Sequence, residues 1–261
     1  MVGTAADVLL NAWIDPSAVP ARMATSPTLD GAHMLFCSQQ AIRERLSESH
    51  SPSPHEWGEL VPHGLLLATF VGVHRSRQAH MFVRERLNGA KPFLDDYARR
   101  LWHPEDEQDL LALMPVLVED HSFAREASTV AVNPTFALSS RLGGADADLV
   151  TDGTLWDYKA TKQTRILRRE DIWQLAAYLL ADLDDRFAVR AVGISALRWR
   201  SRVRWQAADL FGQLGGEAAD GVDLSQWRSR FEAMLPQSPR RSAKPGSTDR
   251  VGGFRPVQNE E

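Results

Sequence analysis

Residues 143–160 read GGADADLVTDGTLWDYKA, and the fold of the C-terminal half turns on how they pair. Two short runs, 145–151 and 154–160, flank Asp152-Gly153. Asp-Gly at such a junction is a strong hairpin signal, because a type I′ turn needs positive φ at both central positions. With a two-residue loop Thr151 faces Thr154, Asp148 faces Asp157 and Asp146 faces Lys159. Side chains alternate along each strand, so these three carboxylates and the ammonium project to one side of the sheet. They crowd a patch about 7 Å long, from strand rise and spacing. Leu149-Val150 and Leu155-Trp156 predict a hairpin that is at least partly buried, and buried carboxylates need partners.

Carboxylates placed opposite one another destabilise a hairpin unless a cation lies between them. Mg²⁺ or Mn²⁺ suits that place, since hard oxygen ligands and retained waters are what such ions take. Held by Asp148 and Asp157, the ion would bind a phosphate and acidify water, with Lys159 opposing developing negative charge. The plainer reading is a solvated strand face on which Lys159 neutralises its neighbours.

Outward from the hairpin, residues 126–138 (EASTVAVNPTFAL) are β-branched and apolar and predict a strand kinked at Asn133-Pro134. Residues 169–183 (REDIWQLAAYLLADL) predict a helix, 188–198 and 202–206 two strands, and 224–235 a closing helix. With a helix over 105–119, opened by Glu105, Asp106 and Glu107 as the helix dipole favours, the order is helix, three strands, helix, strand, strand. That is a mixed α/β fold: a central mixed β-sheet flanked by helices, with an antiparallel meander followed by a helical crossover. Upstream, 37–47, 63–87 and 92–102 predict helices, Asn88-Gly89 a helix stop, and 1–24 only weak patterning broken by Pro16 and Pro20. The expected division is an N-terminal helical region over 1–104, a core over 105–236 and a disordered Ser/Pro/Arg/Gly-rich tail over 237–261.

Composition limits the function classes. The chain has 261 residues, 43% hydrophobic and 25% charged, with a formal net charge of −4. No overall positive field advertises a nucleic-acid partner, so such binding must come from a local patch. The single cysteine, Cys37, excludes a disulfide framework, a four-cysteine zinc site and an all-cysteine iron–sulfur cluster. Without a signal-peptide pattern or an apolar run long enough to span a bilayer, the expectation is a soluble cytoplasmic protein with no membrane partner.

Three motifs in order, GGADADLV (143–150), DYK (157–159) and QLAAY (174–178), resemble the PD-(D/E)XK nuclease superfamily, and within it the RecB-like branch. The resemblance covers about residues 120–210. It implies a restriction-endonuclease-like core and metal-dependent hydrolysis of DNA phosphodiester bonds, in a setting such as DNA repair or antiviral defence. Carried over by position, Asp148 and Asp157 are metal ligands for Mg²⁺ or Mn²⁺, Lys159 is the catalytic lysine, and Gln174 and Tyr178 stand near the active site to help position substrate. Asp146 is the alternative first aspartate. Relatives often add an upstream acid or histidine ligand, for which Glu126 is the leading candidate ahead of Glu119, His121 and Glu85. The family resembled includes recombination, repair, restriction and antiviral-defence nucleases. The contrasting expectations are a non-catalytic nucleic-acid-binding or scaffold subunit, and an enzyme acting on RNA or another phosphate substrate. The sequence holds no P-loop signature, so a motor would be a separate ATPase or helicase chain.

Between Thr164 and Gln206 nine arginines stand against five acids, a local excess of four positive charges. Arg165, Arg168 and Arg169 precede the Gln174 helix and are candidate phosphate contacts. Arg198 and Arg200 lie in LRWRSRVRW (197–205), where interleaved arginine and tryptophan suit phosphate contacts and base stacking, or equally a polar exposed strand face opposite a buried tryptophan face.

Overall fold

The computed structural model describes residues 1–19, 28–48, 51–75, 77–87, 98–144, 146–163, 167–215, 223–236 and 255–256. The chain divides into two compact units, Met1–Phe123 and Ala124–Glu261. The helix expected to open the core therefore falls in the first unit.

That first unit is helical: α1 Val2–Ile14, α2 Leu29–Glu48, α3 Pro54–Arg75, α4 Arg77–Arg86 and α5 Pro104–Asp120. Helix α3 is apolar nearly all round, with Trp57, Leu65, Leu66, Leu67 and Phe70 fully buried. Such a helix belongs at the centre of a bundle, and α1, α2, α4 and α5 pack around it. The weak patterning read over 1–24 misses α1, in which Ala5, Ala6, Val8, Leu9, Leu10 and Ala12 are buried while Gly3, Asp7 and Ile14 are half-exposed on one face. Helix α5 starts at the capping box of His103 and Asp106, with its three acids in the first turn as expected. The helix expected over 92–102 lies largely outside the described residues, and its end, Ala98–Leu101, is a 3-10 turn.

The second unit is mixed α/β. Its elements are the end of α6 Ser122–Glu126, then β1 Thr129–Val132, β2 Leu149–Thr151, β3 Thr154–Lys159, α7 Arg169–Ala181, β4 Ala191–Ala196, β5 Ser201–Gln206, α8 Ala207–Gly215, α9 Leu224–Met234 and β6 Arg255–Pro256. The sheet order is β5-β4-β3-β2-β1-β6. Only β3 and β4 run parallel, joined through α7; every other neighbour pair is antiparallel. The mixed sheet, the meander and the crossover are as the sequence predicts. Of the tail expected to be disordered, 237–254 and 257–261 lie outside the described residues, and Arg255–Pro256 pairs with β1.

The hairpin turn has Asp152 at φ 45° and Gly153 at φ 70°, as a type I′ turn needs. Thr151 pairs with Thr154, Val150 with Leu155 and Leu149 with Trp156, and all six side chains are buried. There the ladder stops. Asn133, at φ 47°, ends β1 early and donates its N–H to the Asp148 carbonyl at 3.0 Å. Asp146 bridges Thr135. The segment before Leu149 keeps these contacts with β1 and its continuation, but the expected cross-strand pairs of Asp148 with Asp157 and Asp146 with Lys159 do not form.

Helices α7, α8 and α9 cover one face of the sheet, over a core that includes Val150, Leu155, Val192, Ile194, Leu175 and Leu179. On the other face Trp156 lies on Gly193, whose added Cβ would come 2.4 Å from the indole. Helix α9 is held by two arginines. Arg141 donates to the carbonyls of Glu232, Leu235 and Pro236 at its C-terminal end. Arg228, buried, donates to the Leu179 carbonyl and to Asp185, 2.7 Å away, and lies 3.6 Å from buried Asp182. Among the described residues no helix is long and apolar enough to cross a membrane.

Candidate active site

Strand alternation decides which charges meet. Asp157 and Lys159 share the β3 face that carries Leu155 into the core under α7, and β4 places Ile194 beside Asp157 and Ala196 beside Lys159. Asp157 is consequently buried, 4% exposed. Its Oδ2 lies 2.8 Å from Lys159 Nζ.

Helix α7 supplies the opposite wall. Asp171, Gln174 and Tyr178 stand at i, i+3 and i+7, on one helical face. Lys159 Nζ lies 2.9 Å from Asp171 Oδ1 and donates to Gln174 Oε1 at 3.3 Å. Gln174 Nε2 donates to the Tyr178 hydroxyl at 2.6 Å. Asp148, the residue before β2, also joins: its Oδ2 accepts the Tyr158 backbone N–H at 2.6 Å, where an extended hairpin would have used a backbone carbonyl. The charges of Asp157 and Asp148 both bear on the Tyr178 hydroxyl. Of the residues expected to form the site, the structure brings together Asp148, Asp157, Lys159, Gln174 and Tyr178, and it adds Asp171.

Protonation follows from burial and charge. Burial pushes the Asp157 carboxyl above its ordinary range; Lys159 pulls the other way without cancelling it, and the charge of Asp171 adds to the rise. Burial disfavours the Lys159 ammonium, but the two carboxylates outweigh it and raise its pKa. For Asp171 the modest burial is outweighed by the Lys159 hydrogen bond, the Arg168 backbone N–H and nearby positive charge, so its pKa is lowered. Burial raises the Tyr178 phenol, the Gln174 hydrogen bond opposes this, and the neighbouring carboxylates raise it further.

Asp146 and Glu126 fall elsewhere in the second unit. Asp146 is half-buried at its bridge with Thr135 and is not opposite Lys159. Glu126 is exposed and precedes β1, whose first residue, Thr129, exchanges hydrogen bonds with Asp152 at the hairpin turn. Asp157 lies toward the other end of the strands, roughly 13 Å along β3 from that turn at strand rise, so the fold does not bring Glu126 to it. Glu119, His121 and Glu85 belong to the first unit. His121 is buried there with Nδ1 on the Leu117 carbonyl.

Arg165 lies outside the described residues. Arg168 and Arg169 are exposed where α7 begins, and the Arg169 guanidinium lies 5.9 Å from the ring of Trp173, itself half-exposed. Arg198 sits in the 3-10 turn Leu197–Trp199 and donates to the Ala160 carbonyl at 2.8 Å, beside Trp199 Nε1–H on the Thr161 carbonyl. The expected strand therefore ends at Ala196. Arg200 is exposed in a left-handed turn, φ 48°. On β5, Arg202 and Arg204 pair with Ser195 and Gly193, which puts them on the sheet face away from Asp157.

The chain matches no protein-family model, no curated protein and no solved structure.

Any metal centre here would be sparse in protein ligands. Among the described residues no three His, Cys, Asp or Glu side chains converge to hold an ion. Besides Asp171, which pairs with Lys159, the site holds the carboxylates of Asp148 and Asp157, and Asp157 is buried with a single short-range partner among the described residues, Lys159. One or two carboxylates with waters and substrate phosphate is the usual protein share for Mg²⁺, so the donor set fits a hard divalent cation. Asp171 escaped the sequence analysis, although its spacing three before Gln174 and seven before Tyr178 was a usable signal.

Proposed function

We propose that this chain is a Mg²⁺- or Mn²⁺-dependent nuclease that hydrolyses DNA phosphodiester bonds, on a restriction-endonuclease-like core of PD-(D/E)XK, RecB-like type. The observation that carries the reading is the connected group Asp157–Lys159–Gln174–Tyr178, with Asp148 alongside, assembled from β3, the residue before β2 and the crossover helix. A buried carboxylate whose pKa is raised beside an ammonium held charged is an expensive arrangement, and such arrangements cluster at functional sites.

Asp157 and Asp148 would hold the cation. When bound, it neutralises charge on the scissile phosphate and acidifies the attacking water. Lys159 presents a fixed ammonium to a phosphate oxygen as negative charge develops. Gln174, braced by Tyr178, fixes the direction of Lys159, and exposed Arg168 and Arg169 contact flanking phosphates. DNA repair or antiviral defence is the setting in which this activity would serve, with a separate ATPase or helicase as a partner.

One observation favours a second reading, a non-catalytic nucleic-acid-binding or scaffold subunit: Lys159 already meets three acceptors, so the cluster is partly self-neutralised. Wild type and Lys159→Ala separate the two when compared on circular plasmid, linear single-stranded DNA and RNA, each with Mg²⁺, Mn²⁺ or EDTA. The nuclease reading expects metal-dependent DNA cleavage that falls about 100-fold or more in the variant. DNA binding without cleavage in any metal would support the second reading, and cleavage confined to RNA would replace the substrate.

A further inference from the structure

Asp171 belongs to none of the three motifs, yet it is the best-anchored partner Lys159 has. Its carboxylate is divided between two tasks. Oδ2 accepts the Arg168 backbone N–H at 2.8 Å, closing the first turn of α7, and Oδ1 lies 2.9 Å from Lys159 Nζ. Asp157 lies 2.8 Å from the same ammonium on the strand side, and Gln174 Oε1 completes the set at 3.3 Å. An ammonium has three donors; here Nζ donates to Gln174 and forms ion pairs with two carboxylates on different elements, while buried Asp157 Oδ2 accepts no hydrogen bond among the described residues.

We propose that Asp171 is a positioning residue that holds Lys159 from the helix side and so leaves the Asp157 carboxylate available to a divalent cation. This inference rests on the metal-site reading above. With Asp171 in place, Lys159 has a second carboxylate on a fixed helix turn, so contact between a cation and Asp157 does not strand the ammonium. Without it, Lys159 pairs one-to-one with Asp157, and that ion pair competes with the cation for the same oxygens. Asp171 acts through Lys159 and is not itself a ligand.

The test is Mn²⁺ binding to the full chain, measured by calorimetry without nucleic acid in wild type, Asp171→Asn, Lys159→Ala and the double variant. Asparagine keeps an oxygen for the Arg168 N–H, so the helix turn survives, and equal unfolding temperatures for wild type and Asp171→Asn confirm that the fold is intact. The expected result is Mn²⁺ affinity about tenfold weaker in Asp171→Asn, the scale for a residue supporting a metal site at one remove. That loss should vanish when Lys159 is already alanine, and Asp171→Glu should partly restore affinity. Wild-type affinity in Asp171→Asn would overturn the inference and leave the metal site standing. A loss that persists undiminished in the Lys159→Ala background would also overturn it, because Asp171 would then act directly. Absence of Mn²⁺ binding in wild type would bring down the metal-site reading and this inference with it.

Discussion

At the scale of single residues, Asp157 is a buried carboxylate whose ionised form burial disfavours. Its folded pKa is raised, chiefly by burial, so the ionised form is disfavoured in the folded state relative to the unfolded chain. The sign is the reverse of the usual aspartate: stability is lost as pH rises through the raised folded pKa and is regained as Asp157 protonates. Asp157→Asn is therefore expected to unfold at an equal or higher temperature than wild type near neutral pH, while cleavage is lost. The difference should close as pH falls toward the ordinary aspartate value of 3.8, which thermal melts across pH would show. A marked loss of stability at neutral pH would mean that the Lys159 ion pair more than offsets the burial. Asp185 has the opposite sign. The Arg190 hydrogen bonds, aided by Arg228, lower its pKa to about 2, so its contribution is present above 3.8 and fades as pH falls toward 2.

At the scale of elements, two contacts fix the frame around the site. Arg228 of α9 reaches the C-terminal end of α7 and is buried against Asp182 and Asp185. Breaking a buried ion pair by removing one partner leaves a charge uncompensated. Arg228→Met is expected to destabilise the C-terminal unit by about 3 kcal/mol, measurable by denaturant unfolding with the midpoint lowered. On the opposite sheet face Gly193 gives Trp156 room to lie across β4. A Cβ there would come 2.4 Å from the indole and 2.9 Å from the Val203 carbonyl, so Gly193→Ala must displace Trp156 or bend the β4–β5 pair. A loss of about 1–3 kcal/mol is expected, together with a change in tryptophan fluorescence. An unchanged midpoint would mean that Trp156 repacks freely. Neither residue was singled out by the sequence, because each matters only through an element distant along the chain.

At the scale of the whole molecule, charge must be local to serve a nucleic acid. The chain is net negative, −4, and the exposed pair Arg168 and Arg169 sits where α7 begins, on the turn that also holds Asp171. If these two arginines contact phosphates, replacing both with alanine should weaken DNA binding and flatten the dependence of log K on log salt. The slope should fall in magnitude by about 0.9 per contact removed on duplex DNA. The measurement is fluorescence anisotropy in EDTA over a range of salt, and an unaltered slope would place the phosphate contacts elsewhere. The arginines of β5 make a useful contrast, since Arg202 and Arg204 lie on the other sheet face. The Arg/Trp alternation of 197–205 was legible as a pattern, but a period of two cannot say which face of a sheet is the working one.

Local rules were enough for much of this protein. Asp-Gly set the turn and the first three pairs of the hairpin, alternation put Asp157 and Lys159 on one face, and helical spacing put Gln174 beside Tyr178. Each of these depends on residues within a few positions of one another, where sequence and geometry are nearly the same thing. The tertiary structure decided what lay beyond that range. It took Asp148 off the β2–β3 ladder, and there its carboxylate accepts the Tyr158 N–H. It carried Glu126 to the turn end of the sheet, and it made a helix of Val2–Ile14, where the sequence showed only weak patterning. It also joined Asp171 to Lys159, because only the packing of α7 on the sheet brings a carboxylate twelve positions along the chain to the ammonium it holds.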